Sequence, residues 1–376
     1  MRLSAITKRN IGRIIPFGII WLVLSILFLW IEAVAVGDQD NKVDTAIRLE
    51  TDIVIFALVL VTLIGLFIGL VEVMFLNRLF ERKSFGVKII SKFLIYATFF
   101  FLLIFINFQI AASMELDTSI FDKRVWRRYV AFFMSPTNAS AMVQLSFQLL
   151  VSLLYSEISE HLGHHVLVNF FTGKYHKPIA ENRIFMFADM KNSTAIAEQL
   201  GHIQYFEFLK SYYFDLSNAI VKNYGEVYQY IGDEIVISWK LKNGLVNSHC
   251  IQCFFDMKTD LLKRKESYMQ KYGVFPDFKA ALHFGEVTTG EIGALKKEIF
   301  FTGDVLNTTA RIQGLCNAYK VDLLVSKVLV DKLDLKDRYG VQSLGKPQLK
   351  GKIDTFDLVT VSIKSFETKQ SPNTEL

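Results

Sequence analysis

The residues with the most chemical promise are two aspartates delivered by apolar β patterns. Asp189 sits in Phe187-Ala-Asp-Met-Lys-Asn-Ser-Thr194, and Asp233 in Tyr228-Gln-Tyr-Ile-Gly-Asp-Glu-Ile-Val236. Two strand-borne carboxylates suit hard divalent cations, which take oxygen ligands and sit against substrate phosphates. A single aspartate at a strand end is more often a turn or cap residue, so the pair carries weight only with companions. Asn307 and Arg311 stand at a spacing that puts both on one face of a helix. Asp304, just ahead, suits the N-cap of that helix.

The elements that must position these groups begin after Pro178, where the pattern becomes α/β. A strand is predicted over 183–188, then helices over 192–200 and 204–222, closed by Gly225 in a left-handed cap. Two short β runs, 226–231 and 234–240, form a hairpin with Gly232-Asp233 at its tip. A long helical stretch over 247–271 follows. Residues 279–284 alternate again, and Gly285 and Gly290 punctuate the next strands.

The preceding half is of a different kind. Hydrophobic residues make up 51% of the 376, and charged ones 21%, below the usual ~25%, while the mean hydropathy is +0.30. Apolar runs at 14–36, 53–76 and 87–112 are each long enough to span a bilayer. A fourth, 141–155, needs extension back through 131–134 or forward towards Leu162. The length of the first run and the three behind it argue against a cleaved signal peptide. Glu32 and Glu72 lie near the ends of their runs and read as interfacial; Lys88 and Lys92, at the start of the third, are placed to snorkel. An N-terminal tail with Arg2, Lys8, Arg9 and Arg13, and a second connection with Arg78, Arg82, Lys83 and Lys88, contrast with the acidic connection 37–52. Positive-inside reasoning puts the N-terminus and everything after the fourth span in the cytoplasm. The outer loop 114–137 is mildly basic against that rule.

Residues 156–178 form a connector, read as a helical continuation of the last span that ends near Gly173 and Pro178. Its His161, His164, His165 and His176 have no cysteine or carboxylate partners at metal-binding spacing. Cys250, Cys253 and Cys316 make no disulfide framework; Cys250 and Cys253 read as thiols on an apolar helix face. All three fit a reducing cytoplasm. A net charge of +5 with no long Lys/Arg tract gives no signal for nucleic acid.

Four stretches in order identify a family: Phe187-Ala-Asp-Met, Ile231-Gly-Asp-Glu, Leu282-His-Phe-Gly-Glu-Val and Gly303-Asp-Val-Leu-Asn-Thr-Thr-Ala-Arg-Ile312, with Leu349-Lys-Gly-Lys352 behind them. Together, over about 179–362, they strongly resemble the catalytic domain of the class III adenylate/guanylate cyclases. The organisation expected is a membrane domain over 1–155, the connector 156–178, a cyclase domain over 179–365 and a disordered tail 366–376. The fold class is an α-helical membrane domain of about four spans, then an α/β (α+β) head of ferredoxin-like, palm-type build.

The resemblance implies a metal site at Asp189 and Asp233, with Met190 beside them, holding two Mg²⁺ or Mn²⁺ ions. One ion would help deprotonate the ribose 3′-hydroxyl and the other would hold the triphosphate. Asn192, Ser193 and Thr194 match the turn whose backbone amides face phosphates. Asn307 and Arg311 match the pair that orients the ribose and stabilises charge at the α-phosphate, and Lys350 a lysine on the terminal phosphates. In the family these two sets come from different chains, which implies a homodimer with two equivalent sites. The base-selecting positions fall on Gln229 and Phe300, or on Thr302 if the register shifts. Gln229 can donate and accept, so it suits either purine edge, while Phe300 can only pack. The expected activity is membrane-bound conversion of ATP to 3′,5′-cyclic AMP and pyrophosphate. The alternatives are a guanylate cyclase, a diguanylate cyclase, and a catalytically silent nucleotide-binding receptor.

Overall fold

The computed structural model describes residues 4–36, 51–80, 83–335, 338–352 and 355–364, with a few side chains inside these ranges excepted. The acidic connection 37–50, the tail 365–376 and the side chains of Glu32, His164 and His165 lie outside the described residues. The chain forms two compact units, one of residues 7–171 and one that takes in everything from Thr172 onwards.

In the first unit, helix α1 spans Ala5–Val36 and α2 Thr51–Val71, which runs on through a π-helical turn, Glu72–Leu76. Helix α3 spans Phe85–Glu115, α4 Lys123–Phe133, α5 Pro136–Leu162 and α6 His164–Thr172. Among the described residues, four stretches are long and apolar enough to cross a membrane: Ala5–Ile31, Val54–Leu76, Phe85–Met114 and Asn138–Leu162. The fourth therefore takes the forward extension. Phe17, Trp21, Ile68, Tyr96, Leu149 and Leu153 are among the residues packed between these helices, and Trp21 Nε1 donates to Ser152 Oγ at 2.9 Å.

Three expectations change here. Glu72 and Lys92 do not reach out of the helix bundle: both are fully buried, with Glu157. Lys92 Nζ is paired with Glu72 and donates to Glu157 Oε1 at 2.8 Å and Asn77 Oδ1 at 2.7 Å. Lys88 stands 3.4 Å from Glu157 Oε2. Charges held away from water need partners, and spans two, three and four supply them to one another. The outer loop is in large part the helix α4, whose N-cap Asp122 accepts from Arg124 N at 2.8 Å. Finally, the connector does not simply continue the last span. Helix α5 stops at Gly163, whose φ of 86° belongs to a region that glycine enters readily.

The second unit is an eight-stranded sheet, with β1 over Ile179–Met190, β2 Glu226–Ile231, β3 Glu234–Lys240, β4 Phe278–Ile292, β5 Glu298–Thr302, β6 Leu323–Ser326, β7 Tyr339–Gly345 and β8 Leu358–Ile363. Their order is β2-β3-β1-β4-β6-β8-β7, with β5 paired to β4 off this path. Helices α7 (Ser193–Lys222), α8 (His249–Leu262), α9 (Lys265–Tyr272) and α10 (Asp304–Gly314) complete it. The two helices expected over 192–222 join across Gly201, and the stretch expected over 247–271 divides into α8 and α9. Alternation along β1 sets the layers. Ile184, Met186 and Ala188 pack with α7 and α8, while Phe185 and Phe187 pack with Val305 of α10. Cys250 and Cys253 are buried in the first of these layers. Burial pushes the Cys250 thiol up to about 12, so the structural reading of this pair stands.

Candidate active site

Asp189 is the next odd-numbered residue after Phe185 and Phe187, so the pleat turns it to the α10 side of the sheet. Its cross-strand partners are Glu234 on β3 and Lys279 on β4. The β2–β3 hairpin closes with Ile231 opposite Glu234, which leaves Gly232-Asp233 as a two-residue tip. Gly232 has φ 63°, a turn conformation natural to glycine, and Tyr213 Oη donates to its carbonyl at 2.7 Å. Register and turn together bring Asp233 beside Asp189. Below them the end of β1 is pinned: Lys191 N donates to Asp277 O at 2.8 Å, and its Nζ pairs with Asp277 Oδ2 at 2.7 Å.

The electrostatics follow from this crowding. Burial first, then the charge of Asp233, holds the Asp189 carboxyl above its usual range. Glu234 is pushed up to about 7, again by burial first and then by Asp189 and Asp233. Lys279 Nζ at 3.4 Å and Gln313 Nε2 at 3.2 Å both reach Asp189 Oδ2. A half-buried carboxylate pair with too little positive charge beside it fits a divalent cation. Met190 is buried in the apolar core, so its thioether is taken up in packing and only its main-chain oxygen suits a hard ion. Asn192 adopts a left-handed conformation, and α7 begins at Ser193 without a side-chain cap. That leaves first-turn N–H groups for an anion.

On α10, Asp304, Asn307 and Arg311 lie on the outward side, while Val305, Thr308, Ile312 and Gln313 are buried. Asp304 does not cap the helix as expected. It is the first helical residue, its carboxylate accepts from Thr308 Oγ1 at 3.1 Å, and it pairs with Lys352. The Gly303 backbone precedes it because a Cβ there would stand 2.8 Å from the Glu286 carbonyl oxygen. Arg311 runs past the 349–352 loop, where a Cβ on Gly351 would be 3.5 Å from its Nη2. Lys350 is exposed in that loop, Gln229 is exposed on β2, and Phe300 is exposed on β5 opposite Gly290. Thr302 ends β5, also exposed. Gln313, which touches Asp189, is turned roughly 200° around α10 from Arg311 at ~100° per residue. One chain therefore brings Asp189 and Asp233 together, and Arg311 to the 349–352 loop, on different faces.

Sequence reasoning gave no role to Glu234, Lys279 or Gln313. For Lys279 a signal existed, since an opposite charge across an antiparallel pair is a recurrent arrangement. Gln313 had none, because its contact with Asp189 spans 124 residues. A cavity of about 690 Å³ lined by Leu200, Gly201, His202, Ile203, Glu207 and Lys271 includes none of the residues above.

Residues 176–364, half of the chain, match the family model described as the adenylate and guanylate cyclase catalytic domain. Adenylate cyclase 2 of Rhizobium meliloti (strain 1021) is 31% identical over 228 residues, 58% of this chain and 63% of that protein. Retinal guanylyl cyclase 2 of Homo sapiens is 25% identical over 172 residues, 44% of this chain and 15% of that protein. The chain thus spans less than two thirds of either relative. The solved structure of a bacterial light-regulated adenylyl cyclase shares the fold, with a TM-score of 0.50 at 20% identity, over 58% of this chain and 64% of that one. From Asp189 on β1 to Arg311 on α10, the described site lies within the matched segment, and the chain belongs to the adenylate and guanylate cyclase catalytic-domain family.

Proposed function

We propose that the protein is a membrane-anchored purine nucleotide cyclase that converts ATP to 3′,5′-cyclic AMP and pyrophosphate, as a homodimer with two shared sites and a cytoplasmic catalytic domain. The observation that carries this reading is the Asp189–Asp233 pair, built by the β1–β3 register. Two bound Mg²⁺ or Mn²⁺ ions would supply positive charge at the ribose 3′-hydroxyl and at the phosphates. Asp189, Asp233 and the main-chain oxygen of Met190 would hold them, and Lys279 and Gln313 keep the Asp189 carboxylate oriented. The first turn of α7, from Asn192 to Thr194, receives the phosphates. From the partner chain, Asn307 orients the ribose, Arg311 meets the charge that develops at the α-phosphate, and Lys350 takes the terminal phosphates. The 3′-hydroxyl gives its proton to solvent as its oxygen attacks the α-phosphorus, and the bond from that phosphorus to the leaving pyrophosphate breaks. Gln229 and Phe300 face the purine.

ATP is favoured because the relative named an adenylate cyclase is 31% identical and the guanylyl cyclase relative 25%. GTP is the second reading, because the Gln229 amide pairs with either purine edge. Product analysis of membranes carrying the full chain, given ATP and GTP in parallel with Mg²⁺ and with Mn²⁺, tests both. Cyclic AMP should dominate. Faster formation of cyclic GMP reverses the purine assignment, a dinucleotide product points to a diguanylate cyclase, and no product with any combination leaves a nucleotide-binding receptor.

A further inference from the structure

The connection between spans three and four carries Lys123, Arg124, Arg127 and Arg128 against Asp122, a net charge of +3 over 122–133. Charge of this kind on the outer side runs against the positive-inside rule, and α4 shows how it is arranged. At ~100° per residue, the four cations fall in one sector of about 140° around the helix. Val125, Tyr129 and Phe132 fall in the next, and they hold α4 against α3. The Tyr129 ring lies 5.1 Å from Phe105 and 5.6 Å from Phe108, and Phe132 stacks on Phe108 at 4.8 Å. Trp126, Val130 and Phe133 fill the third sector and are 42%, 52% and 41% exposed. Trp126 and Phe133 also touch α3, at 5.7 Å from Phe105 and 6.0 Å from Phe101, and Arg124 pairs with Asp122 at 3.1 Å, so α4 is clamped along one side and keeps a basic edge and a half-exposed aromatic edge.

We propose that α4 lies in the membrane–water interface and binds the head groups of anionic phospholipids. A helix with Lys and Arg on one edge and Trp and Phe on another settles with its apolar side at the acyl boundary. Guanidinium groups pair with phosphate oxygens, often bidentately. The aromatic edge selects a lipid over a free anion, because an ion would leave the exposed parts of Trp126, Val130 and Phe133 in water. This assignment rests on the four long helices being membrane spans, and not on the cyclase reading.

The test uses the full chain in phosphatidylcholine vesicles doped with brominated phosphatidylglycerol or, at equal mole fraction, brominated phosphatidylcholine. The Trp126 signal is isolated by subtracting the emission of a Trp126→Phe protein. Brominated phosphatidylglycerol should quench it more strongly, and titration of its mole fraction should give a relative affinity over phosphatidylcholine of about fivefold for each basic residue engaged. Changing Lys123, Arg124, Arg127 and Arg128 to Gln should abolish that preference, while Arg124→Lys/Arg127→Lys/Arg128→Lys should keep it. Equal quenching by both lipids in the wild type, a preference that survives the Gln variant, or its loss in the Lys variant would overturn the assignment. Relief of quenching by added inorganic phosphate would make this an ion site and overturn it equally. Extraction of the wild type by alkaline carbonate would instead sink the spanning reading.

Discussion

At the residue scale, function turns on how much negative charge the end of β1 must hold. Asp189, Asp233 and Glu234 crowd together, and burial with mutual repulsion raises both Asp189 and Glu234. For Glu234 the shift runs from 4.5 to about 7. Between those values the folded protein binds more protons than the unfolded chain, so stability falls as pH rises through the window. In EDTA, the melting temperature of the wild type relative to a Glu234→Gln variant should therefore drop from pH 5 to pH 8. Millimolar Mn²⁺ should flatten the drop; a flat difference in EDTA would contradict the crowding. Removing a metal carboxylate is the second test at this scale. Asp189→Ala and Asp233→Ala should each lower cyclic nucleotide formation at least about a hundredfold with dimerisation, followed by cross-linking, unchanged. Retained turnover in either variant would refute the assignment of metal ligands.

At the element scale, the bundle of long apolar helices is held by buried charge as well as by apolar packing. Lys92 on α3 answers Glu72 beyond the end of α2 and Glu157 on α5, so three spans meet at one ammonium group. Breaking such a network leaves uncompensated buried charge, at a cost of about 3–5 kcal/mol. Lys92→Met should accordingly lower the thermal midpoint of the detergent-solubilised protein sharply. Adding Glu72→Gln and Glu157→Gln should recover much of the loss, because the orphaned charges go with it. A Lys92→Met protein that melts like the wild type would show the network to be marginal. The spans themselves were legible as apolar runs, since a bilayer sets a length that composition alone can meet. The network was not, because a charged residue near the end of a run reads as interfacial until its partners are seen.

At the scale of the whole molecule, Gln313 faces Asp189 from its own chain while Asn307 and Arg311 point elsewhere. A site that needs both sets must then draw them from two copies. Mixing Asp233→Ala chains with Arg311→Ala chains should restore activity to about a quarter of the wild-type level, since half the two-fold dimers would be mixed and each would hold one intact site. No recovery above the separate variants would exclude the shared site.

The sequence by itself determined the two-part organisation, the family, and the order of strands and helices around Asp189, Asp233, Asn307 and Arg311. These are local signals: apolar length, period-two alternation, the Gly-Asp turn and four stretches in order. Only the tertiary structure decided what surrounds them. Lys279 and Gln313 reach Asp189 by strand pairing and by a contact across 124 residues. Asp304 is drawn to Lys352 rather than to its helix end, and α4 turns a basic loop into a two-edged helix. The contacts of Lys279, Gln313 and Asp304 join groups far apart in the chain, and no spacing along a sequence encodes such a meeting.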